Sequence, residues 1–368
     1  MDVGIINPEL IYPRGAEKQA CNLCYFLNEM GHEVTFYTFV KKKNYIFDPL
    51  LSDVKVISLN KRWSLGSRWI MNDPRWIHLA RKLSRKIGPH DIINAHNHPA
   101  QWISKFIDIP VIWMCNEPYM YTNYKSKNGF QSLHYMTDRF MSSNVKLILS
   151  LDSRMQELIK KMFPSKSIRI IGSGVDLKRD IRHVQNDCFD SIFVGPIHPQ
   201  KRPLDIVKAF SLIKNEIKHV KLHFIGEIMS NELKKEMEKV AVDNNLKIIF
   251  HGTISDEKLY DLYDIADIAI FVPGLQPWGI FPLETILGGI PTIISDECGI
   301  IDVLPRDFPI VKTGHINELA SKILEIEDNY QEHKNKVIKV KKIISDEYSW
   351  ESYAKRMFDV YDNCLNTL

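Results

Sequence analysis

Residues 272–291 read VPGLQPWGIFPLETILGGIP, which has the form of a strand end, a glycine-bearing loop and the start of a helix. A helix that begins just after a strand exposes free backbone N–H groups and the positive end of its dipole, and both suit a phosphate or a polar ligand. We expect the N–H groups of Gly279, Ile280 and Phe281 to face such a ligand. Glu284 supplies the carboxylate that a ribose diol needs, although a favourable charge near a helix N-terminus would explain this residue on its own.

Strand-like and helix-like segments alternate on both sides of this stretch. The first series of predicted strands is Val3–Asn7, Glu33–Phe39, Val54–Ser58, Asp91–Ala95, Pro110–Met114 and Val145–Leu149. The second series is Asp190–Val194, Val220–Ile225, Leu246–Phe250, Ile268–Val272 and Thr292–Ile294. Strands joined by helical crossovers form parallel sheets that are covered on both faces. The sequence therefore predicts an α/β protein with two Rossmann-like, doubly wound parallel-sheet domains.

Paired glycines mark the boundary between the two series, in the sequence IGSGVD at residues 171–176, and they favour a hinge over a core. We therefore predict an N-terminal domain at residues 1–173 and a C-terminal domain at residues 174–348. A last helix in residues 349–366 carries an aromatic stripe that needs a surface to dock on. The N-terminal domain is one place for it.

The composition is that of a soluble globular protein, with 45% hydrophobic and 25% charged residues. No apolar run approaches the roughly 18 residues that span a bilayer, and the start of the chain resembles a core strand more than a signal peptide. The six cysteines are scattered, which favours a reduced, cytoplasmic protein. A redox pair at Cys21 and Cys24 is the alternative.

Charge divides the chain into a basic half and an acidic half. Residues 1–173 carry 24 Lys and Arg against 14 Asp and Glu, a net charge of +10, whereas residues 174–368 carry 24 against 31, a net charge of −7. The basic half predicts an anionic partner, and the candidates are a membrane surface, a phosphorylated acceptor molecule and a nucleic acid.

Basic residues and tryptophans are interleaved in residues 61–86, where the net charge is +7. The set that we assign to an acceptor or a membrane is Lys61, Arg62, Trp63, Arg68 and Trp69. Such a mixture suits an anionic lipid interface, where each basic residue adds about 1 kcal/mol. A solvated face with inward-packed tryptophans explains the pattern equally well. Nucleic acid is not expected, because no recognised binding module accompanies the charge.

Two further glycine-bearing turns follow predicted strands. Gly195 is followed by Lys201 and Arg202 before the next helix; lysine supplies a point charge and arginine can grip two oxygens of a diphosphate. A solvated basic turn is the plainer interpretation. Gly15 precedes the first helix without a Gly-x-Gly-x-x-Gly series, which disfavours a nicotinamide-dependent dehydrogenase.

The stretch at residues 272–291 resembles the signature of the retaining family 4 glycosyltransferases, in which two glutamates flank seven residues around a Pro-Phe-Gly-like core. Further resemblances lie at Gly15-Ala16-Glu17, residues 31–35 (GHEVT), Gly174-Val175-Asp176, residues 251–254 (HGTI), Leu259-Tyr260 and Ala266-Asp267. They extend over nearly the whole chain. The resemblance implies the GT-B fold, in which two Rossmann-like domains face a central cleft.

The resemblance also implies a donor site in the C-terminal domain. Lys201 would contact the donor diphosphate, Glu284 would hold the donor ribose, and the backbone of Trp278–Phe281 would bind sugar hydroxyls. The full set of implied donor-binding residues is Gly15, Gly195, Lys201, Arg202, Gly252, Ile254, Trp278, Gly279, Ile280, Phe281 and Glu284. The implied catalytic residues are Asn116, Lys201, Gln276 and Glu284.

Three positions depart from the family pattern. Gln276 stands where the family has its first glutamate, and Asn116 where it often has a histidine; each amide can orient a hydroxyl but cannot supply charge or shuttle a proton. Pro196 stands where the family has an arginine, and Arg202 or Arg14 could supply the missing phosphate contact. These departures bear on the rate of catalysis and on the identity of the donor.

Neither a metal nor another cofactor is expected beside a nucleotide sugar as co-substrate. The chain lacks the Asp-x-Asp pair that holds a divalent metal in the other common glycosyltransferase fold. Lysine, arginine and a helix dipole would then stabilise the leaving diphosphate. His96-Asn97-His98 has no further ligands at the spacing of a zinc site and fits polar cleft residues better.

The resemblance thus implies a retaining transferase that moves a hexose-type sugar from a GDP- or UDP-sugar to a hydroxyl of a glycan or lipid-linked acceptor at the inner membrane face. The N-terminal domain would bind the acceptor and the C-terminal domain the donor. One alternative is a sugar-nucleotide-binding protein of the same fold with weakened catalysis, which the three departures motivate. The other is an epimerase or phosphorylase on the same fold.

Overall fold

The computed structural model describes residues 1–60, 75–117 and 129–367. The chain divides into two compact units: unit 1 comprises Met1–Gly174 and Trp350–Leu368, and unit 2 comprises Val175–Ser349. The predicted acceptor or membrane set lies outside the described residues; it comprises Lys61, Arg62, Trp63, Arg68 and Trp69. Within the described ranges, no helix has the length and apolar character needed to cross a membrane.

Unit 1 is built around a seven-stranded parallel sheet. Its elements up to the boundary are β1 (Asp2–Ile6), β2 (Glu9–Leu10), α1 (Gly15–Glu29), β3 (Glu33–Thr38), β4 (Val40–Lys41), β5 (Lys55–Ser58), α2 (Arg75–Ser84), β6 (Ile92–His96), β7 (Val111–Met114), α3 (Gly129–Met141), β8 (Leu147–Ser150), α4 (Ser153–Met162) and β9 (Ile168–Ile170). The strand order is β5-β3-β1-β6-β7-β8-β9, and the short strands β2 and β4 pair separately. Strands β1, β6 and β7 therefore lie side by side, which brings together the residues that follow them.

Apolar side chains cover both faces of this sheet, as a parallel sheet requires. Successive residues of a strand point to opposite faces, yet Ile92 and Ile93 of β6 are both fully buried. On one face, Ile93 and Trp113 belong to a core cluster that includes Trp102 from the short helical turn after β6. Burial on both sides explains why these strands are nearly continuous apolar runs.

Unit 2 has the same α/β architecture as unit 1 and is built around a six-stranded parallel sheet. Its elements are β10 (Phe189–Val194), α5 (Pro203–Leu212), β11 (Val220–Ile225), α6 (Asn231–Asp243), β12 (Lys247–Gly252), α7 (Asp256–Ile265), β13 (Ile268–Phe271), α8 (Ile280–Leu287), β14 (Thr292–Ser295), β15 (Ile310–Val311), α9 (Ile316–Asp328) and α10 (Tyr330–Tyr348). The strand order is β12-β11-β10-β13-β14-β15. The order reverses between β10 and β13, and ligands of open α/β sheets bind beyond the strand ends at such a point.

One buried carboxylate, that of Asp264, binds two arginines of the segment that leads into β10. Asp264 accepts hydrogen bonds from the Arg179 guanidinium at 2.9 and 3.0 Å and from Arg182 Nε at 2.7 Å. Burial alone would raise the pKa of Asp264, but these hydrogen bonds outweigh it and hold the pKa well below its ordinary range. The charged form of this carboxylate therefore anchors the start of unit 2.

The last helix, α11 (Trp350–Asn366), belongs to unit 1 and packs against α1. Tyr353, Met357 and Tyr361 of its aromatic stripe are fully buried. A Cβ on Gly174 would lie 2.2 Å from the Trp350 ring, so a residue larger than glycine cannot occupy position 174 without displacing that ring. The structure thus gives Gly174 a packing role that the interpretation as a hinge did not include.

Candidate functional site

The carboxyl ends of β10, β11 and β12 are joined through the backbone of three glycines. Gly195 donates its N–H to the carbonyl of Ile225 at 2.8 Å, and Gly226 donates to the carbonyl of Gly252 at 2.9 Å. Gly226 has a φ of +139°, and a Cβ there would lie 2.2 Å from the Gly195 carbonyl oxygen. Sequence reasoning named Gly195 and Gly252 but missed Gly226, although a glycine directly after a predicted strand is a usable signal. Ile254, which was predicted to bind the donor, follows β12 by two positions and is half-buried.

Arg202 lies at the turn between β10 and α5. Its backbone is in the left-handed region, with a φ of 54°, and its Nε donates to Asp205 Oδ2 at 2.6 Å. Nη2 would lie 2.8 Å from a Cβ at Gly314, so the guanidinium lies against this glycine. The contact with Asp205 fixes one edge of the guanidinium and leaves the terminal nitrogens outside that contact.

Lys201 and Gln276 are 75 positions apart in the chain, and the fold brings them into contact. Lys201 Nζ donates a hydrogen bond to Gln276 Oε1 and lies 5.9 Å from the centroid of the Phe271 ring. An ammonium group can only donate, so the amide must turn its oxygen toward the lysine. Two residues that the family resemblance implied to be catalytic thus form one hydrogen-bonded pair.

The loop that carries Gln276 is fixed from both sides. Gln276 donates its N–H to the carbonyl of Glu297 at 2.8 Å and accepts from the N–H of Gly299 at 2.8 Å. One residue earlier, Leu275 donates its N–H to Glu297 Oε2 at 2.9 Å. Gly274 donates to the carbonyl of Gln200, which ties the loop to the turn before Lys201. Sequence reasoning missed Glu297, because the pairing joins segments that are not neighbours in the sequence.

The start of α8 leaves no room for a side chain at Gly279. A Cβ there would lie 2.9 Å from both Cys298 Sγ and Pro282 Cγ. Cys298 Sγ donates to the Trp278 carbonyl at 3.2 Å, and the Trp278 side chain is only 4% exposed. Since Phe281 is also buried, the backbone of this turn, rather than its rings, is the part that can meet a ligand.

Glu284 lies in α8 and is oriented by a buried tyrosine. Tyr263 donates its hydroxyl to Glu284 Oε2 at 3.1 Å. Burial, together with the nearby Glu284 carboxylate, raises the pKa of Tyr263, so the hydroxyl stays protonated and keeps donating. Tyr263 comes from α7 and was missed by sequence reasoning.

Three asparagine amides form a chain at the carboxyl ends of β1, β6 and β7 in unit 1. Asn116 Nδ2 donates to Asn97 Oδ1 at 3.0 Å, Asn97 Nδ2 donates to Asn7 Oδ1 at 3.0 Å, and Asn7 Nδ2 donates to the Glu9 carbonyl at 2.7 Å. A backbone carbonyl can only accept, so the direction of the whole chain is fixed. Asn116 therefore uses one N–H of its amide within the protein, which fixes the orientation of the amide.

Asn7 and Asn97 were missed as partners of Asn116, because sequence reasoning considered Asn97 only as part of a histidine pair. His98 Nδ1 lies 3.1 Å from Gln101 Nε2, and His96 is completely buried. Burial lowers the pKa of His96 to about 3. Among the side chains that the structure describes, no group of three or more His, Cys, Asp or Glu residues is arranged to hold a metal ion.

Other predicted residues at this edge of unit 1 lie around the start of α1. Arg14 occupies the N-cap position of α1 without a side-chain hydrogen bond to the helix, and Gly15 is the first helical residue. Glu17, in the first turn, has its pKa raised to about 7 by burial. Cys21 and Cys24 are free thiols, and burial raises the pKa of both, so they stay protonated and unreactive.

The protein is a two-domain α/β protein with two doubly wound parallel sheets. Polar residues lie beyond the carboxyl ends of the strands in both sheets, where ligands bind in proteins of this class. The model for Glycosyltransferase Family 4 matches residues 13–179, and the model for Glycosyl transferases group 1 matches residues 175–343. Together they span nearly the whole chain. The chain therefore belongs to the family 4 glycosyltransferases.

Individual proteins are similar to this chain in sequence or in fold. The uncharacterized glycosyltransferase MJ1607 of Methanocaldococcus jannaschii is 21% identical over 319 residues, which is 77% of this chain and 79% of that protein. The sucrose-phosphate synthase of Thermosynechococcus elongatus superposes with a TM-score of 0.81 at 16% identity and covers 100% of both chains. Anabaena Alr3699/HepE, solved in complex with UDP and glucose, gives a TM-score of 0.78 at 14% identity over 99% of this chain and 100% of that one. These likenesses confirm the predicted GT-B fold.

Proposed function

We propose that the protein transfers a hexose-type sugar from a nucleoside-diphosphate sugar to a hydroxyl of a glycan or lipid-linked acceptor, with retention of anomeric configuration. The observation that carries this proposal is the arrangement in unit 2. Lys201 contacts Gln276 on a fixed loop, that loop leads into α8 at Gly279, and α8 carries Glu284. A cation, a helix N-terminus and an oriented carboxylate are the groups that a diphosphate and a ribose require.

The catalytic contribution of these groups would be electrostatic. Lys201 and the N-terminus of α8 would stabilise the negative charge that develops on the leaving diphosphate, which preorganised charges do without reorganisation. A metal is not part of the proposal, since the chain has no Asp-x-Asp pair. No side chain is assigned as nucleophile or general base; a phosphate oxygen of the donor would take the proton of the acceptor hydroxyl.

The acceptor is proposed to bind to unit 1. A groove of about 690 Å³ is lined by Lys41, Lys42 and Lys43 together with Ser58 and Asn60. Lys41 ends the short strand β4, which follows β3, and Ser58 is the last residue of β5, so the groove lies near the carboxyl ends of β3 and β5. Its cations suit a phosphorylated or lipid-linked acceptor. Such an acceptor would place the protein in the cytoplasm at the inner membrane face.

Thermal stabilisation by nucleotide sugars tests the proposed function. A ligand that binds only the folded state raises its stability, and increasingly so above the dissociation constant. UDP-sugars are the first probes because HepE was solved with UDP and glucose, and GDP- and ADP-sugars complete the panel. We expect one nucleotide to raise the melting temperature without added metal. No shift with the whole panel would contradict the proposal, and a shift without transfer or hydrolysis would favour a binding protein.

The amide chain in unit 1 gives a prediction about catalysis. Asn97→Gly removes the group that holds Asn116 Nδ2, and glycine tolerates the φ of 61° at this position. We expect kcat/KM for transfer to fall about tenfold, since a freed amide presents nitrogen and oxygen alternately to a sugar hydroxyl. Asn97→Asp keeps an acceptor for Asn116 Nδ2 and loses only the donation to Asn7 Oδ1, so it is the control for the orientation of Asn116 and is expected to lose less activity. Equal losses in the two variants would show that the orientation of Asn116 does not matter.

A further inference from the structure

The contact between Lys201 and Gln276 joins two fixed segments. Lys201 ends a short helical turn that starts after His198, and its N–H donates to the His198 carbonyl at 2.9 Å. Gln276 is held through both its N–H and its carbonyl, to Glu297 and Gly299. The backbones of both partners are therefore fixed where their side chains meet, and the side chain at position 276 contributes directly to the electrostatic surroundings of the Lys201 ammonium.

A glutamine and a glutamate at this position differ in charge far more than in shape. Each offers an oxygen to the ammonium of Lys201, but only the glutamate places a negative charge against it. In the family signature that residues 272–291 resemble, a glutamate is expected at the position that Gln276 occupies in this chain. The amide of Gln276 therefore accepts a hydrogen bond from Lys201 as a glutamate would. Unlike a glutamate, it adds no negative charge that would partly neutralise the positive charge of Lys201.

We propose that Gln276 is a positioning residue that keeps the diphosphate subsite one unit more positive than a glutamate would, and that the protein consequently binds nucleoside diphosphates more tightly. This inference rests on the proposed function, in which Lys201 contacts the donor diphosphate. The added attraction acts on the diphosphate group and not on the base or the sugar. It therefore raises the affinity for the released nucleoside diphosphate as well as for the donor.

The other charged groups around the subsite have separate contacts. The guanidinium of Arg202 is bonded to Asp205 at 2.6 Å, and the Glu297 carboxylate accepts the N–H of Leu275 at 2.9 Å. Neither contact involves the side chain at position 276. A change from glutamine to glutamate therefore adds one negative charge and removes neither contact.

The test compares Gln276→Glu with Gln276→Met in the full-length protein, by calorimetric titration with UDP, GDP and ADP. For the nucleotide that binds the wild type, we expect Gln276→Glu to raise the dissociation constant roughly tenfold, the size of one partly screened charge interaction. Gln276→Met removes the hydrogen bond without adding charge and has nearly the same volume, so a much smaller loss is expected. The matching nucleoside, which lacks the diphosphate, should bind all three proteins alike.

Ionic strength separates this role from a merely structural one. The difference between wild type and Gln276→Glu should shrink as salt is added, because salt screens the charge at position 276. In turnover, Gln276→Glu should also weaken inhibition by the nucleoside diphosphate product. If Gln276→Glu and Gln276→Met weaken diphosphate binding equally, or the loss is independent of salt, the inference is wrong while the proposed function stands. If the wild type binds none of the three nucleotides, the proposed function fails, and this inference fails with it.

Discussion

Glu284→Ala is expected to weaken the binding of the nucleotide-sugar donor about a hundredfold. A carboxylate that accepts two hydrogen bonds from a ribose diol contributes roughly 3 kcal/mol, since hydrogen bonds to charged groups are the strong ones. Alanine cannot accept either bond. The measurement is calorimetric titration with the donor that stabilises the wild type, or the loss of its thermal shift.

Tyr263→Phe is the companion variant for this prediction. It removes the hydroxyl that donates to Glu284 Oε2 at 3.1 Å but keeps the ring and the carboxylate. We expect a loss of a few fold, because the carboxylate remains and only its orientation is relaxed. The melting temperature of each variant without ligand shows whether unit 2 is still folded. Unchanged donor affinity in a folded Glu284→Ala protein would remove Glu284 from the donor site.

The second large effect concerns the pH dependence of stability. His96 is completely buried and its pKa is lowered to about 3, whereas a histidine in the unfolded chain titrates near 6.5. Protons therefore bind the unfolded chain first, and stability is lost as the pH falls below about 6.5. Between about pH 7 and about pH 4, this residue alone is expected to reduce the free energy of unfolding by about 3 kcal/mol.

His96→Asn isolates this contribution, because the amide is polar and does not titrate in this range. Its stability at neutral pH can be lower, so the quantity to compare is the slope of unfolding free energy against pH, from urea unfolding of both proteins. The wild type should lose about 3 kcal/mol more than the variant over the acid range. Parallel pH profiles would mean that His96 is accessible to protons in the folded state.

Much of the fold followed from local pattern. The apolar run of β7, Val111–Met114, was predicted to within one residue, because burial on both faces of a parallel sheet leaves a continuous apolar signal. The short edge strand β9 was missed, since two of its three residues are exposed and it carries no such signal. Helix α8 begins at Ile280. Pro282 is compatible with this start because it lies in the first turn, where its missing N–H has no helical partner to lose.

Less of the candidate site could be predicted from the sequence. Lys201, Gln276 and Glu284 could be named because they lie in turns and a helix start that resemble one family's motifs. The residues that form hydrogen bonds with the site residues could not be predicted from the sequence. Tyr263 reaches Glu284 from another helix, and the amides of Asn7 and Asn97 meet Asn116 only because β1, β6 and β7 are neighbours in the sheet.

The sequence by itself determined two parallel βα series, the family, and the residue types that the donor site would use, because periodicity, turn chemistry and motifs are local properties of the chain. Only the tertiary structure decided which polar groups face one another and in which direction each hydrogen bond runs. The Glu9 carbonyl fixes the direction of the asparagine chain, and Lys201 fixes the amide of Gln276. Both depend on strand order and loop pairing, which join residues that are far apart in the sequence.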